Sequence, residues 1–159
     1  MTEGMGIEEA IELAIQAELN DHQFYKDASE KVSSGHGKDM LRQLANFEIS
    51  HYNKLMELRD SLKASGAYVE YAGTEFGPVE KGEGSSTVAH RDDVLNILKL
   101  AINAEEGAYE RYNHLASVTD DPKGKNMFVK LAAEEELHRR ILSDQFYQIS
   151  NKGAWVWGR

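Results

Sequence analysis

Shifted by 87 positions, the chain falls on itself. Glu18 meets Glu105, Glu48 meets Glu135 and His51 meets His138, and without a gap residues 7 to 60 share 14 identities with residues 94 to 147. A chance overlap of the same composition would give roughly 3 or 4. The other matches are Leu13/Leu100, Ala14/Ala101, Ile15/Ile102, Ala17/Ala104, Tyr25/Tyr112, Gly37/Gly124, Lys38/Lys125, Met40/Met127, Leu44/Leu131, Ala45/Ala132 and Leu55/Leu142. Whatever this chain folds into is built twice from one unit.

The unit is a helical hairpin. Leu41, Leu44, Leu55, Leu58 and Leu62 follow the three-four rhythm of a helix face turned to a core. The pattern predicts helix A over about Gly6 to Ser33, with Ile7, Ile11, Ala14, Glu18, Tyr25 and Val32 on one face. It predicts helix B over about Asp39 to Ala64, helix C from near Asp92 to "TDDPKGK", and helix D over about Lys125 to Ser150. "SSGHGK" reads as the turn between A and B, its glycines suited to a helix C-cap, and "HRDDV" offers capping aspartates for C. Residues 66–91, rich in Gly and Ser, form a long crossover with an extended turn or short helix of its own. Short, long and short connections specify an all-α four-helix bundle with one crossover, the ferritin-like topology, over residues 1–151. A tail follows at 152–159, in which Trp155 and Trp157 alternate with Val156 as a strand-like flap on the bundle or on a partner subunit.

Polar residues interrupt the seams at matched places. Glu48 and His51 occupy two beats between Leu44 and Leu55, and Glu135 and His138 do the same between Leu131 and Leu142. Glu18 and Glu105 break the stripes of A and C. The repeat selects Glu135 from "AAEEELH", where Glu134 lies opposite Phe47, and Glu105 rather than Glu106 from "NAEEGAY". Four buried carboxylates without compensation would cost many kcal/mol, and the seams bring no Lys or Arg to them. Two divalent cations would balance them and leave both imidazoles neutral. Residues three apart on a helix face the same way, so each Glu-x-x-His can grip one ion while its Glu bridges to the other. Oxygen-rich ligation with one nitrogen per metal suits iron or manganese better than structural zinc.

Composition bounds the remaining classes. The 159 residues carry a net charge of −9, which disfavours nucleic acid and anionic membranes as partners. There is no cysteine, so disulfides, iron–sulfur clusters and thiolate chemistry are excluded. No stretch reads as a membrane span or a signal peptide, so the expected location is the cytoplasm. Tyr25 and Tyr112, each two turns beyond a seam glutamate, are either core aromatics with satisfied hydroxyls or groups that support the metal site. His22, on the Glu18 face, is an extra or alternate ligand, or a hydrogen-bonded histidine of the core or one that supports the ligands, and Tyr109, at the corresponding place after Glu105, is a further candidate for such support. Leu13, Ile15 and Leu19 off the ligand seam, with Trp155 and Trp157 needing cover, lead us to expect a homodimer.

"AIQAELNDHQFY", "AINAEEGAYERY", "FEISH" and "EEELH" resemble the helix motifs of the rubrerythrin branch of ferritin-like di-iron carboxylate proteins. The resemblance covers about residues 7 to 150. It implies a centre of two iron ions, with manganese as the alternative metal, held by Glu18, Glu48, His51, Glu105, Glu135 and His138, with Glu48 and Glu135 bridging. It implies reduction of hydrogen peroxide to water with electrons from an external donor such as a rubredoxin-like protein. Ferroxidase activity with O₂ or peroxide in iron storage, a manganese catalase-like reaction and a purely structural metal bundle are the competing expectations. Two departures stand out. Without cysteine the chain cannot hold a rubredoxin iron. Ala108 stands where the family commonly has a further helix C glutamate that exchanges with a histidine as the iron changes redox state, which leaves His22 or Glu106 to substitute.

Overall fold

A computed structural model describes residues 6–33, 35–74 and 85–156. Trp157 and the middle of the crossover, both included in the expectations above, lie outside the described residues. Helices α1 (Ile7–Lys31) and α2 (Gly35–Ser65) form one hairpin, and α3 (Arg91–Val118) and α4 (Pro122–Lys152) the other. The boundaries obey the repeat, since Lys31 and Val118, Gly35 and Pro122, and Ser65 and Lys152 each stand 87 apart. The result is the helical bundle that the periodicity specifies. The end of the crossover and the tail add a small antiparallel strap, β1 (Ser85–Thr87) against β2 (Ala154–Val156), with Ser86 opposite Trp155. The extended turn expected in the crossover is this strand.

The helix ends depart from the simplest reading of the turn residues. The helix α1 stops at Val32 in an extended conformation, and the glycines of "SSGHGK" fall in the first turn of α2 instead. The cap comes from a lysine. Lys38 Nζ donates to the Ser29 carbonyl at 2.7 Å, and its repeat mate Lys125 donates to the Ala116 carbonyl at 2.6 Å. Each places a cation at the negative end of the preceding helix. In α3, His90 in the left-handed region (φ 57°) takes the cap position, so Asp92 and Asp93 sit inside the first turn and act on the helix dipole. The helix α4 starts earlier than expected, because the Asp121 side chain accepts from the N–H groups of Lys123 and Gly124 while Pro122 opens the turn.

Close approach explains Gly37 and Gly124. A Cβ on Gly37 would stand 2.6 Å from the Trp155 ring, and one on Gly124 would collide with the Tyr68 ring. Tyr68 and Trp155 are themselves 87 apart, and each follows a left-handed glycine that ends a helix, Gly66 or Gly153. The repeat therefore runs on through "GAYV" and "GAWV". Each hairpin ends in an aromatic arm that lies on the first turn of the other hairpin's second helix. Gly37→Ala and Gly124→Ala should each destabilise by about 1–3 kcal/mol through overpacking, read from the urea midpoint at an unchanged m-value. An unshifted midpoint would mean the rings are not seated.

The core comes in two pieces. One gathers Ile11, Ile15, Leu55, Leu58, Leu115, Phe128 and Leu131, and the other Leu41, Leu44, Leu98, Leu142, Ile149 and Trp155. Ile15 thus belongs to the interior, and Trp155 is covered by its own chain, whereas Leu13 (51 % exposed) and Leu19 face outward. Among the described residues, no helix is long and apolar enough to cross a membrane.

Candidate metal centre

Between the two apolar pieces lies a belt of six buried polar side chains. Glu18 comes from α1, Glu48 and His51 from α2, Glu105 from α3, and Glu135 and His138 from α4. They sort into two groups, Glu18–Glu48–His51–Glu135 and Glu48–Glu105–Glu135–His138. Within each group one ligand atom per residue lies within 4.8 Å of all the others. Glu48 and Glu135 belong to both.

The imidazoles turn Nδ1 toward the carboxylates. His51 Nδ1 stands 3.2 Å from Glu18 Oε2 and 3.4 Å from both Glu48 Oε1 and Glu135 Oε2. His138 Nδ1 stands 3.1 Å from Glu135 Oε1, 3.5 Å from Glu105 Oε2 and 3.6 Å from Glu48 Oε2. The rings lie nearly parallel, 6.3 Å apart. The tyrosines close the belt crosswise. Tyr25 on α1 donates to Glu105 Oε2 at 2.6 Å, and its repeat mate Tyr112 on α3 donates to Glu18 Oε2. Both tyrosines are core aromatics whose hydroxyls are satisfied by carboxylates of the belt.

Proximity sets the protonation. Burial drives the Glu48 and Glu135 carboxyls well above the usual range, and the charges of Glu105 and Glu18 push them further. Burial opposes ionisation of Glu18 too, but the charge and hydrogen bond of His51 prevail and bring it down to about 2. His138 likewise lowers Glu105 against its burial. Both imidazoles resist the effect of burial and rise well above their ordinary value because carboxylates surround them. Without metal, Glu48, Glu135, His51 and His138 favour their protonated forms, and Glu18 and Glu105 their ionised ones.

The donor set fits a pair of metal ions. Among the described residues, Glu18 Oε1, Glu105 Oε1, Glu135 Oε2 and both oxygens of Glu48 are buried without a hydrogen-bond partner, as oxygens that would hold a cation are. Oxygen donors with one imidazole nitrogen in each group suit iron or manganese.

The remaining candidates fall elsewhere. His22 Nδ1 bonds the Ala45 carbonyl at 2.7 Å and lies in neither ligand group, so of its readings the hydrogen-bonded histidine holds. Tyr109 and Glu106 are exposed. Two further acidic residues, Asp21 and Glu134, adjoin the belt. Asp21, one turn after Glu18, is the repeat mate of Ala108. Burial and the nearby charges of Glu18 and Glu105 raise its carboxyl to about 7 against the pull of Arg111. Glu134 accepts from His51 Nε2 at 2.7 Å, behind the belt.

Residues 96–154 match the family model described as Rubrerythrin, so the second hairpin is rubrerythrin-like in sequence. A hypothetical protein from Pyrococcus furiosus has a similar structure, with a TM-score of 0.77 and 25 % identity over 95 % of this chain and 94 % of that one. No curated protein matches the chain.

Proposed function

We propose that the chain is a rubrerythrin-like di-iron oxidoreductase that reduces hydrogen peroxide to water with electrons from an external donor. The observation that carries this reading is the sharing of Glu48 and Glu135 between two ligand groups, the arrangement a binuclear site needs. Two ferrous ions, when bound, supply the two electrons that one O–O bond requires. The protein's own residues do the rest. Tyr112 and Tyr25 hold Glu18 and Glu105, the carboxylates that belong to one group each. Burial first, and the adjacent carboxylate second, raise both phenols, so they stay protonated and keep donating. The apolar pieces on either side exclude water. Conversion of one peroxide to two waters consumes two protons. Both come from solvent, relayed by the carboxyl of Asp21 one helical turn after Glu18.

The test is to mix anaerobic Fe(II)-loaded protein with equimolar peroxide or O₂ and follow ferric absorbance. Peroxide should oxidise the centre faster by about tenfold or more, with repeated turnover when a reductant is supplied. Continued uptake of added Fe(II), with many irons accumulating per chain, would make the protein a storage ferroxidase. Inertness to both oxidants would leave only a structural metal site.

A further inference from the structure

The repeat is broken behind one imidazole. Position 47 and its mate 134 flank the two Glu-x-x-His pairs, and the residues there differ in kind, Phe47 against Glu134. Phe47 places its ring edge-on to His138, 4.4 Å between centroids. Glu134, from α4, reaches across to His51 on α2 and accepts from Nε2, the nitrogen that faces away from the belt, at 2.7 Å.

Glu134 is itself held. Tyr71 Oη donates to the same oxygen, Oε1, at 2.6 Å, and the Thr74 N–H donates to Oε2 at 2.7 Å. Lys130 Nζ in turn donates to the Tyr71 carbonyl at 3.2 Å. Tyr71 and Thr74 belong to the crossover, so a segment outside the four helices grips the carboxylate that grips the imidazole. An N–H donated to a fixed carboxylate sets both the tautomer and the direction of the ring, and makes the opposite nitrogen a better ligand.

We propose that Glu134 is a positioning residue for metal binding: it fixes His51 with Nδ1 aimed at the belt, and Tyr71 and Thr74 make the crossover part of that support. The proposal rests on the binuclear reading above. It gives the crossover a task beyond connecting two hairpins, since ordering of residues 71–74 and affinity at the His51 group become one equilibrium.

The test is anaerobic titration of the metal-free full chain with Co(II), followed by visible absorbance and by proton NMR. The parent should bind two ions and show a hyperfine-shifted, slowly exchanging imidazole N–H from His51. Glu134→Ala should weaken one of the two ions by about 10–100-fold and leave the other within about twofold. It should also lose that N–H signal to exchange. Glu134→Gln, which keeps an acceptor oxygen, should restore part of the affinity and the signal. Tyr71→Phe leaves Glu134 in place and should weaken the same ion by a smaller factor, so the proposal stays testable if the alanine variant does not fold. Two unchanged affinities with the N–H signal retained in Glu134→Ala would overturn the proposal and leave the binuclear site standing. A parent chain that binds no pair of ions would overturn the binuclear reading itself.

Discussion

Stripped of metal, the protein should lose thermal stability steadily as pH rises from 5 to 8, while the metal-loaded form stays nearly flat. In the folded apo chain Glu48, Glu135, His51 and His138 bind protons more tightly than they do when unfolded. A raised folded pKa stabilises fully below the unfolded pKa, and the contribution disappears as pH climbs toward the folded value. The carboxyl part therefore begins to fall above about 4.5 and the imidazole part above about 6.5. Asp21 acts in the same direction until about pH 7. Glu18 and Glu105, with lowered values, act oppositely and only in acid, below this window. Each proton that the folded form alone retains is worth about 1.4 kcal/mol per pH unit. Two carboxyls thus lower Tm by roughly 5–10 °C per unit in a domain of this size. The same protons must leave when ions enter, so loading near pH 6 should release about four protons per pair of divalent ions, measurable in a pH-stat. Coincident pH profiles for the two forms, or release of fewer than about two protons, would contradict a neutral, proton-filled belt.

Glu48→Met should make the metal-free protein more stable and abolish pairwise metal binding. Both Glu48 oxygens are buried without a hydrogen-bond partner, and the nearest imidazole nitrogens stand at 3.4 and 3.6 Å. A methionine of similar reach fills the space and removes a buried carboxyl whose ionisation burial and the neighbouring carboxylates oppose. Replacing such a group by a packed apolar side chain is expected to gain about 1–4 kcal/mol in the apo state at neutral pH. Because Glu48 belongs to both ligand groups, one substitution damages both ion positions. Titration should then find one weak ion or none. A less stable apo variant would show that Glu48 holds the seam together even without metal.

The belt itself was legible because two independent signals met at the same residues. Helical periodicity marks which face is buried, and the 87-residue repeat chooses among neighbouring glutamates by position alone. That logic selects Glu135 over its neighbour, and it also hides Glu134. A residue whose mate is Phe47 looks like noise in a two-fold pattern, yet the departure is where the crossover enters the site. Asp21 is hidden in the same way, opposite Ala108. Periodicity has no means of reporting what reaches a helix face from a loop, so Tyr71 and Thr74 were invisible as well. Gly37 of "SSGHGK" reads as part of a cap because a turn and a tight contact favour the same residue. Only the ring of Trp155, distant in sequence, distinguishes them. "GAYV" and "GAWV" did carry a signal, since their alignment continues the repeat past residue 60.

Tyr68 leaves the first hairpin to close the second, and Trp155 leaves the second to close the first. Each half is therefore finished by an aromatic ring from the other. The bundle is latched at both ends, where its apolar surface lies, and carries its electrostatic burden at the waist. A belt buried this fully can exchange ions only through an opening of the bundle, and an opening that spares both latches costs less than global unfolding.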